Sequence, residues 1–254
     1  KEALIEEVKS EREIELMREA GVFLAKTHEE LEKALHEGMT TWKINKLGDE
    51  IIRSFGCVPS FLNYNGYPAS ICVSVNDEVV HGIPSKKRYL QDGDIVSLDA
   101  GVIWKGYHSD AARTHAIGNV SDEAKKLIEV TRNAFYEGLK NAKAGNHLND
   151  ICGVIGDYAQ GLGYGVVRDL VGHGIGTHLH EDPEVPNFRM NHKGIKLVPG
   201  MTLAIEPMIN VGRPEVAWLD DDWTVVTEDG SLSAHYENTI LITEGEPEIL
   251  SLRS

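Results

Sequence analysis

Ile14, Met17, Gly21, Leu24, His28, Leu31 and Leu35 recur in alternating steps of three and four, which predicts the inward stripe of a long helix stopped by Gly38. His28 lies on that stripe, where a hydrogen-bonded core or boundary histidine is expected rather than a ligand. Thr41 is placed to cap a second helix, with Ile44, Leu47, Ile51 and Phe55 facing inward and Gly56 as its stop. Strand-like runs follow at 70–75, 94–99 and 107–114. Ser121, with Asp122 and Glu123 behind it, then opens a helix through Leu127, Val130, Ala134 and Leu139. A further helix carries Leu148, Ile151, Ile155 and Ala159, and apolar runs ending near His173, Glu206 and Glu237 complete the chain. The order helix, helix, strands therefore occurs twice.

Glycine spacing points to the same duplication. Gly38 and Gly93 are 55 residues apart, as are Gly145 and Gly200. GDIVSLD and GMTLAIE then run through alternating apolar residues into an acid, Asp99 in one case and Glu206 in the other. The next acid follows 11 residues later at Asp110 and 31 later at Glu237. The 20 extra residues fit a hairpin inserted within 210–232, where Asp229-Gly230 is a favourable turn dipeptide. The expected architecture is an α/β (α+β) domain over 13–254, with an antiparallel sheet flanked by helices and a short acidic arm over 1–12. Pseudo-repeats over about 13–118 and 119–250 would set Asp99 opposite Glu206 and Asp110 opposite Glu237 across a pseudo-two-fold axis.

Asp99, Asp110, His173, Glu206 and Glu237 each sit in or beside a short apolar run. Bringing several carboxylates out of water together is strongly unfavourable unless cations or protons compensate. Four carboxylates and one imidazole make a ligand set for two divalent ions. Oxygen-rich ligation with one nitrogen suits Co, Mn, Fe or Zn, and the absence of cysteine from the set excludes a thiolate site. Carboxylates can bridge two such ions around a nucleophilic water, which is hydrolysis chemistry.

Other histidines carry less. His81, in VVHGIP, reads from spacing alone as a surface-loop residue. His178 and His180 alternate in THLHEDP, so an extended segment would point both to one side, as a second metal site, as wall residues or as solvated groups. His36, His115, His147, His192 and His235 have no supporting context. Tyr64, Tyr67 and Trp223 lie in glycine- or acid-rich stretches off any helical stripe, so a pocket wall competes with ordinary packing there.

A chain of 254 residues with a formal charge of −15 has room for a large core and argues against a specific nucleic-acid surface. Lys86-Lys87-Arg88 reads as an exposed loop. Three cysteines without a C-x-x-C pair point to reduced thiols and a cytoplasmic location. No run reaches transmembrane length, and the acidic start is unlike a signal peptide.

The motifs NYNGYPASICVSVNDEVVHGIP, GDIVSLDAG, GYHSDAART, VGHGIGTHLHEDPEVPN, PGMTLAIEPM and DDWTVVTEDGSLSAHYENTILIT together resemble type I methionine aminopeptidases, in the expected order from about Ile14 onward. The resemblance implies the duplicated pita-bread fold and removal of N-terminal methionine from peptides and nascent chains, with a small second residue favoured. It implies that Asp99, Asp110, His173, Glu206 and Glu237 are the metal ligands, with Asp110 and Glu237 bridging. Glu206 would also take up and return the proton of the attacking water. His81 matches the histidine that contacts the scissile amide, and His180 the one that bonds the substrate carbonyl. Tyr64, Tyr67, Cys72 and Trp223, with Phe61 and Leu179 beside them, would form the methionine pocket. Some relatives carry cysteine where Phe61 stands and phenylalanine where Leu179 stands. Some bacterial relatives place histidine and threonine at Asn65 and Gly101. A monomer with at most transient ribosome contact is expected. The competing readings are a proline-directed aminopeptidase or prolidase of the same fold, a non-catalytic binding protein on that scaffold, and an acidic structural module with a stabilising metal.

Overall fold

The computed structural model describes residues 8–253, so residues 1–7 of the expected acidic arm lie outside it. Helix α1 (Glu11–Ala34) starts at a capping box in which Ser10 and Glu13 each satisfy the other's backbone N–H. Its buried stripe is the expected one, including Met17, Gly21, Leu24, His28 and Leu31. The helix ends earlier than Gly38, because Leu35 already has extended backbone. Helix α2 (Thr41–Ser54) is capped by Thr40 rather than Thr41, through a 3.1 Å bond from the Lys43 N–H. Thr41 is buried instead and exchanges bonds with the backbone of Ser85.

The first-half strands are β1 (Val58–Pro59), β2 (Ile71–Val75), β3 (Glu78–Val80), β4 (Ile95–Trp104) and β5 (Tyr107–Ala116). All but β3 form one antiparallel sheet in which β4 pairs with β1, β2 and β5. Helices α1 and α2 cover it through a core that includes Leu24, Leu31, Ile44, Ile52, Val73 and Leu98.

The second half repeats the order. Helix α3 (Asp122–Leu139) is capped by Ser121 as expected, and α4 (Leu148–Gly161) buries Leu148, Ile151, Ile155 and Ala159. Its strands are β6 (Gly165–Val166), β7 (Gly172–Gly174), β8 (Glu181–Val185), β9 (Thr202–Ile205), β10 (Met208–Asn210), β11 (Val216–Trp218), β12 (Val225–Thr227), β13 (Ser233–His235), β14 (Asn238–Leu241) and β15 (Glu248–Ile249). Five of them form an antiparallel sheet in the order β15-β14-β9-β7-β8, against which α3 and α4 pack a second core.

An inserted hairpin does lie within 210–232, but its apex differs from expectation. Strands β11 and β12 pair across a connection at 219–224, and Asp221 stabilises that loop by accepting from the N–H groups of Trp223 and Thr224. Asp229-Gly230 makes a separate turn beyond β12, with Gly230 at φ +75°. Strand β12 also pairs with β3 of the first half, which carries Trp223 toward the seam between the halves. A third apolar cluster fills that seam, including Met17, Phe61, Tyr67, Cys72, Ile175 and Leu179.

Candidate metal centre

Strand register brings the acids together. Asp99 pairs with Ala112 and Gly101 with Asp110 across β4 and β5, so both carboxylates leave the same face of the first sheet. In the second sheet His173 pairs with Ala204, and Ala204 with Thr239, so His173 shares a face with Glu206 and Glu237 two residues along. Pro207 offers no N–H to a ladder, and immediately beyond it the chain leaves β14 and pairs with β13. Glu206 and Glu237 both sit at that switch. The faces meet where Ala112 and Glu237 exchange backbone bonds of 3.2 and 3.0 Å.

Buried groups fix this seam from behind. The Arg113 guanidinium donates to the carbonyls of Ala112, Glu237 and Ser251 and to Asn238 Oδ1. Its face lies 5.0 Å from the Tyr236 ring centroid. Gly172 and Gly174 admit the backbones of Ala204 and Asp182, which a Cβ at either position would strike. Those contacts hold the His173 segment between β8 and β9.

His173 Nε2 lies 3.4 Å from Glu206 Oε2, 3.6 Å from Asp110 Oδ2 and 4.0 Å from Glu237 Oε2. Its Nδ1 lies 2.9 Å from the Gly174 carbonyl, which fixes the ring so that Nε2 faces the acids. Ligand atoms of Asp110, His173, Glu206 and Glu237 all fall within 4.8 Å of one another, as do those of Asp99, His235 and Glu237. Asp99 Oδ1, Asp110 Oδ1 and both Glu237 oxygens are buried without any hydrogen-bond partner.

The electrostatics express the same crowding. Burial, then the charges of Asp110 and Glu206, push the Asp99 carboxyl well above the usual range. Burial and the same two neighbours do so for Glu237. Burial would lower His173, but its contacts with Asp110 and Glu206 outweigh it and push the imidazole up to about 10. Orphaned oxygens, raised acids and a backbone-fixed imidazole are a donor set that fits divalent metal.

A cavity of about 190 Å³ opens onto this cluster. Its walls include every expected pocket residue, namely Phe61, Tyr64, Tyr67, Cys72, Leu179 and Trp223, together with His81 and His180. Cys72 lies directly across β2 and β4 from Asp99, which puts the apolar wall beside the acids. Tyr67 OH donates to the carbonyls of Ile71 and Gly82, and its ring meets Trp223 edge-on at 5.2 Å. Of the proposed ligands, Glu237 alone lies beneath the cavity floor, fully buried.

The histidines separate by environment. His180 Nδ1 lies 2.7 Å from Tyr64 OH, and burial lowers its pKa, followed by the charge of His173. His81 adopts φ +60° at the cavity edge, a conformation costly outside glycine, and burial lowers its pKa as well. The two histidines of THLH do not share a side. Both residues are exposed, but His180 lines the cavity with its ring centroid 4.2 Å from that of His173, whereas His178 lies beside Glu181 outside it. His28 is buried with Nε2 2.8 Å from the Ala111 carbonyl, the core role its stripe implied. His36 and His192 are exposed, and His147 caps α4 through Asp150. His235 lacked any sequence signal, yet it is buried at the cluster with Nε2 unpartnered. His108 is likewise buried, with Nδ1 2.9 Å from Ser60 Oγ.

Comparison with known proteins gives a consistent set of relatives. The pattern of metallopeptidase family M24 matches residues 15–244. A methionine aminopeptidase of Clostridium acetobutylicum is 54% identical over 245 residues, covering 96% of this chain and 98% of that one. The crystal structure of a methionine aminopeptidase from Thermotoga maritima superimposes with a TM-score of 0.95 at 43% identity, covering 97% of this chain and 99% of the other. A Xaa-Pro dipeptidase from Bacillus anthracis matches with a TM-score of 0.77 at 25% identity, and this chain covers 62% of it. The shared architecture is the pita-bread fold.

Proposed function

Given that the chain belongs to metallopeptidase family M24, we propose that it is a methionine aminopeptidase, removing N-terminal methionine from peptides and nascent proteins. The observation that carries this reading is a cluster of acids and one imidazole, of which Asp99, Asp110, His173 and Glu206 line a largely apolar cavity and Glu237 lies beneath it. Asp99, Asp110, His173, Glu206 and Glu237 would hold two divalent ions, drawn from Co, Mn, Fe and Zn. Asp110 and Glu237, both buried with unpartnered oxygens, would be shared between the two ions. Bound there, such ions supply the Lewis acidity that polarises a carbonyl and acidifies water.

The chain's own residues do the rest. Phe61, Tyr67, Cys72, Leu179 and Trp223 receive the unbranched, polarisable methionine side chain and exclude water from it. With Tyr64 OH, 2.7 Å away, donating to its Nδ1, His180 would carry its proton on Nε2 and offer it to the scissile carbonyl oxygen. Glu206 accepts a proton from the attacking water and returns it to the departing amine. His81, kept neutral by burial, contacts that amide from the cavity edge. A small second residue in the substrate is expected from the resemblance to methionine aminopeptidases.

Residues 13–254 serve on this reading as one catalytic domain of two pseudo-repeats, 13–118 and 119–250, supported by the doubled helix-helix-strand order. Among the described residues no helix is long and apolar enough to cross a membrane, and all three cysteines are free and buried. We take the protein to act in the cytoplasm as a monomer, meeting ribosomes transiently.

The test is a pair of peptides, Met-Ala-Ser and Ala-Pro-Ser, offered to the metal-reconstituted protein with and without chelator. Chelator-sensitive methionine release from the first alone is expected. Cleavage of the second alone would assign the proline-directed activity instead, and cleavage of neither would leave a binding scaffold.

A further inference from the structure

The imidazole of His235 is 1% exposed and lies at the end of β13, two residues before Glu237. Its backbone is pinned on one side, because the His235 N–H donates to Thr114 Oγ1 at 3.0 Å. On the other side it pairs with Met208 of β10. The ring therefore has little freedom to aim elsewhere. Its Nε2 lies 3.8 Å from Glu206 Oε1 and has no hydrogen-bond partner. His173 stands 3.4 Å from the other oxygen of the same carboxylate, Oε2. Glu206 is thus bracketed by two imidazoles, one on each oxygen. The opposite side of the His235 ring lines a separate cavity of about 260 Å³ with Arg113, Thr114 and His115, so the ring is the wall between that cavity and the acids.

We propose that His235 is a positioning residue for Glu206: its Nε2–H donates to Oε1 and leaves Oε2 free toward the metal and the attacking water. This deepens the functional reading above and rests on it. A buried ring nitrogen with no other partner, facing a buried carboxylate oxygen, gains a charge-assisted bond when it carries the ring proton and closes the remaining gap. The donor fixes which Glu206 oxygen faces the reacting atoms, a task that the ligand set alone leaves undetermined. The nearest rival role is direct ligation, since Asp99 and Glu237 oxygens also lie within 4.8 Å of Nε2. Geometry favours the donor role, because among the described residues Glu206 is the one carboxylate within 4.0 Å of this nitrogen.

The experiment compares the wild-type protein with His235→Gln, whose amide N–H reaches toward the same oxygen, and His235→Ala, which has no donor. Each folded apoprotein, checked by circular dichroism, is titrated calorimetrically with Co(II). Each is then loaded with Co(II) for proton NMR and assayed on Met-Ala-Ser. His235→Ala should lose roughly 10–100-fold in Co(II) affinity and a similar factor in kcat, with KM changed by less than about twofold. His235→Gln should recover both affinity and kcat to within about threefold of wild type. Wild type and His235→Gln should show the same number of strongly shifted imidazole N–H resonances.

Wild-type affinity and kcat in His235→Ala would overturn the proposal. So would a His235→Gln protein as impaired as the alanine variant. Loss of a shifted imidazole N–H in His235→Gln would overturn it in favour of direct ligation. Failure of the wild-type protein to bind Co(II) or to release methionine would overturn the functional reading itself, a result distinct from the other three.

Discussion

Thr239 Oγ1 holds both backbone groups of Asp110, accepting from its N–H at 2.9 Å and donating to its carbonyl at 2.8 Å. One side chain from the second half thereby completes the hydrogen bonding of a proposed ligand in the first. The Thr239 backbone is held in turn by Ser251 Oγ, at 3.0 Å. Because Asp110 and Thr239 are both buried, water cannot replace these bonds.

Thr239→Val is nearly isosteric and removes both bonds, leaving a buried N–H and carbonyl unsatisfied. The expected cost is about 2–4 kcal/mol, read as a lower urea midpoint at unchanged m-value. Methionine release should weaken as well, since Asp110 is no longer fixed. A variant with wild-type stability would show that the bond pair is dispensable.

Gly101 and Phe61 share one space. A Cβ on Gly101 would lie 2.9 Å from Ser60 Cβ and 3.0 Å from the Phe61 ring. Gly101→Thr should therefore push Phe61 into the cavity and lower kcat/KM at least about 10-fold, mainly through KM. Adding Phe61→Cys to that variant should restore most of the loss. Steady-state kinetics of the three proteins check this, and two independent losses that add would contradict it.

Tyr64→Phe removes the hydroxyl 2.7 Å from His180 Nδ1 and frees the ring to change tautomer. We expect kcat to fall roughly 10-fold with KM within about twofold, because the lost order concerns the proposed carbonyl donor rather than the side-chain pocket. An effect confined to KM would place Tyr64 in the pocket wall alone.

His28 supplies a pH test. Burial, then the nearby Arg113 charge, hold its pKa well below the usual imidazole value. The unfolded chain therefore takes up this proton first as pH falls below about 6.5, and folding stability declines in that window. His28→Gln can keep a donor to the Ala111 carbonyl and removes the titration. The drop in melting temperature between about pH 7.5 and pH 5 should be smaller in the variant, and an equal drop would exclude His28 as a source of acid lability.

Local signals in the sequence reached as far as local physics extends. Ser121 was readable as a cap because its bond to the Ala124 N–H spans three residues, and the α4 stripe follows helical spacing. The end of α1 was not, since Leu35 continues the apolar pattern while its backbone has already left the helix. Asp229-Gly230 is a sound turn, but the hairpin apex is set by the Asp221 bonds and by pairing of β12 with β3. The proposed ligand residues stand out because a charge inside an apolar run is costly wherever it lies. Thr239 and Arg113 gave no such signal, for their contacts span more than a hundred residues and their side chains are unremarkable in sequence. His235 was overlooked for the same reason: only the approach of β13 to the Glu206 switch gives it a role.

The most direct test of the metal-centre reading is anomalous diffraction from crystals of the protein equilibrated with Mn(II), recorded at the manganese edge. Two peaks about 3.5–4 Å apart are expected among Asp99, Asp110, His173, Glu206 and Glu237, with Asp110 and Glu237 touching both. Absence of any peak at these five side chains, or manganese bound only elsewhere on the molecule, would contradict the account.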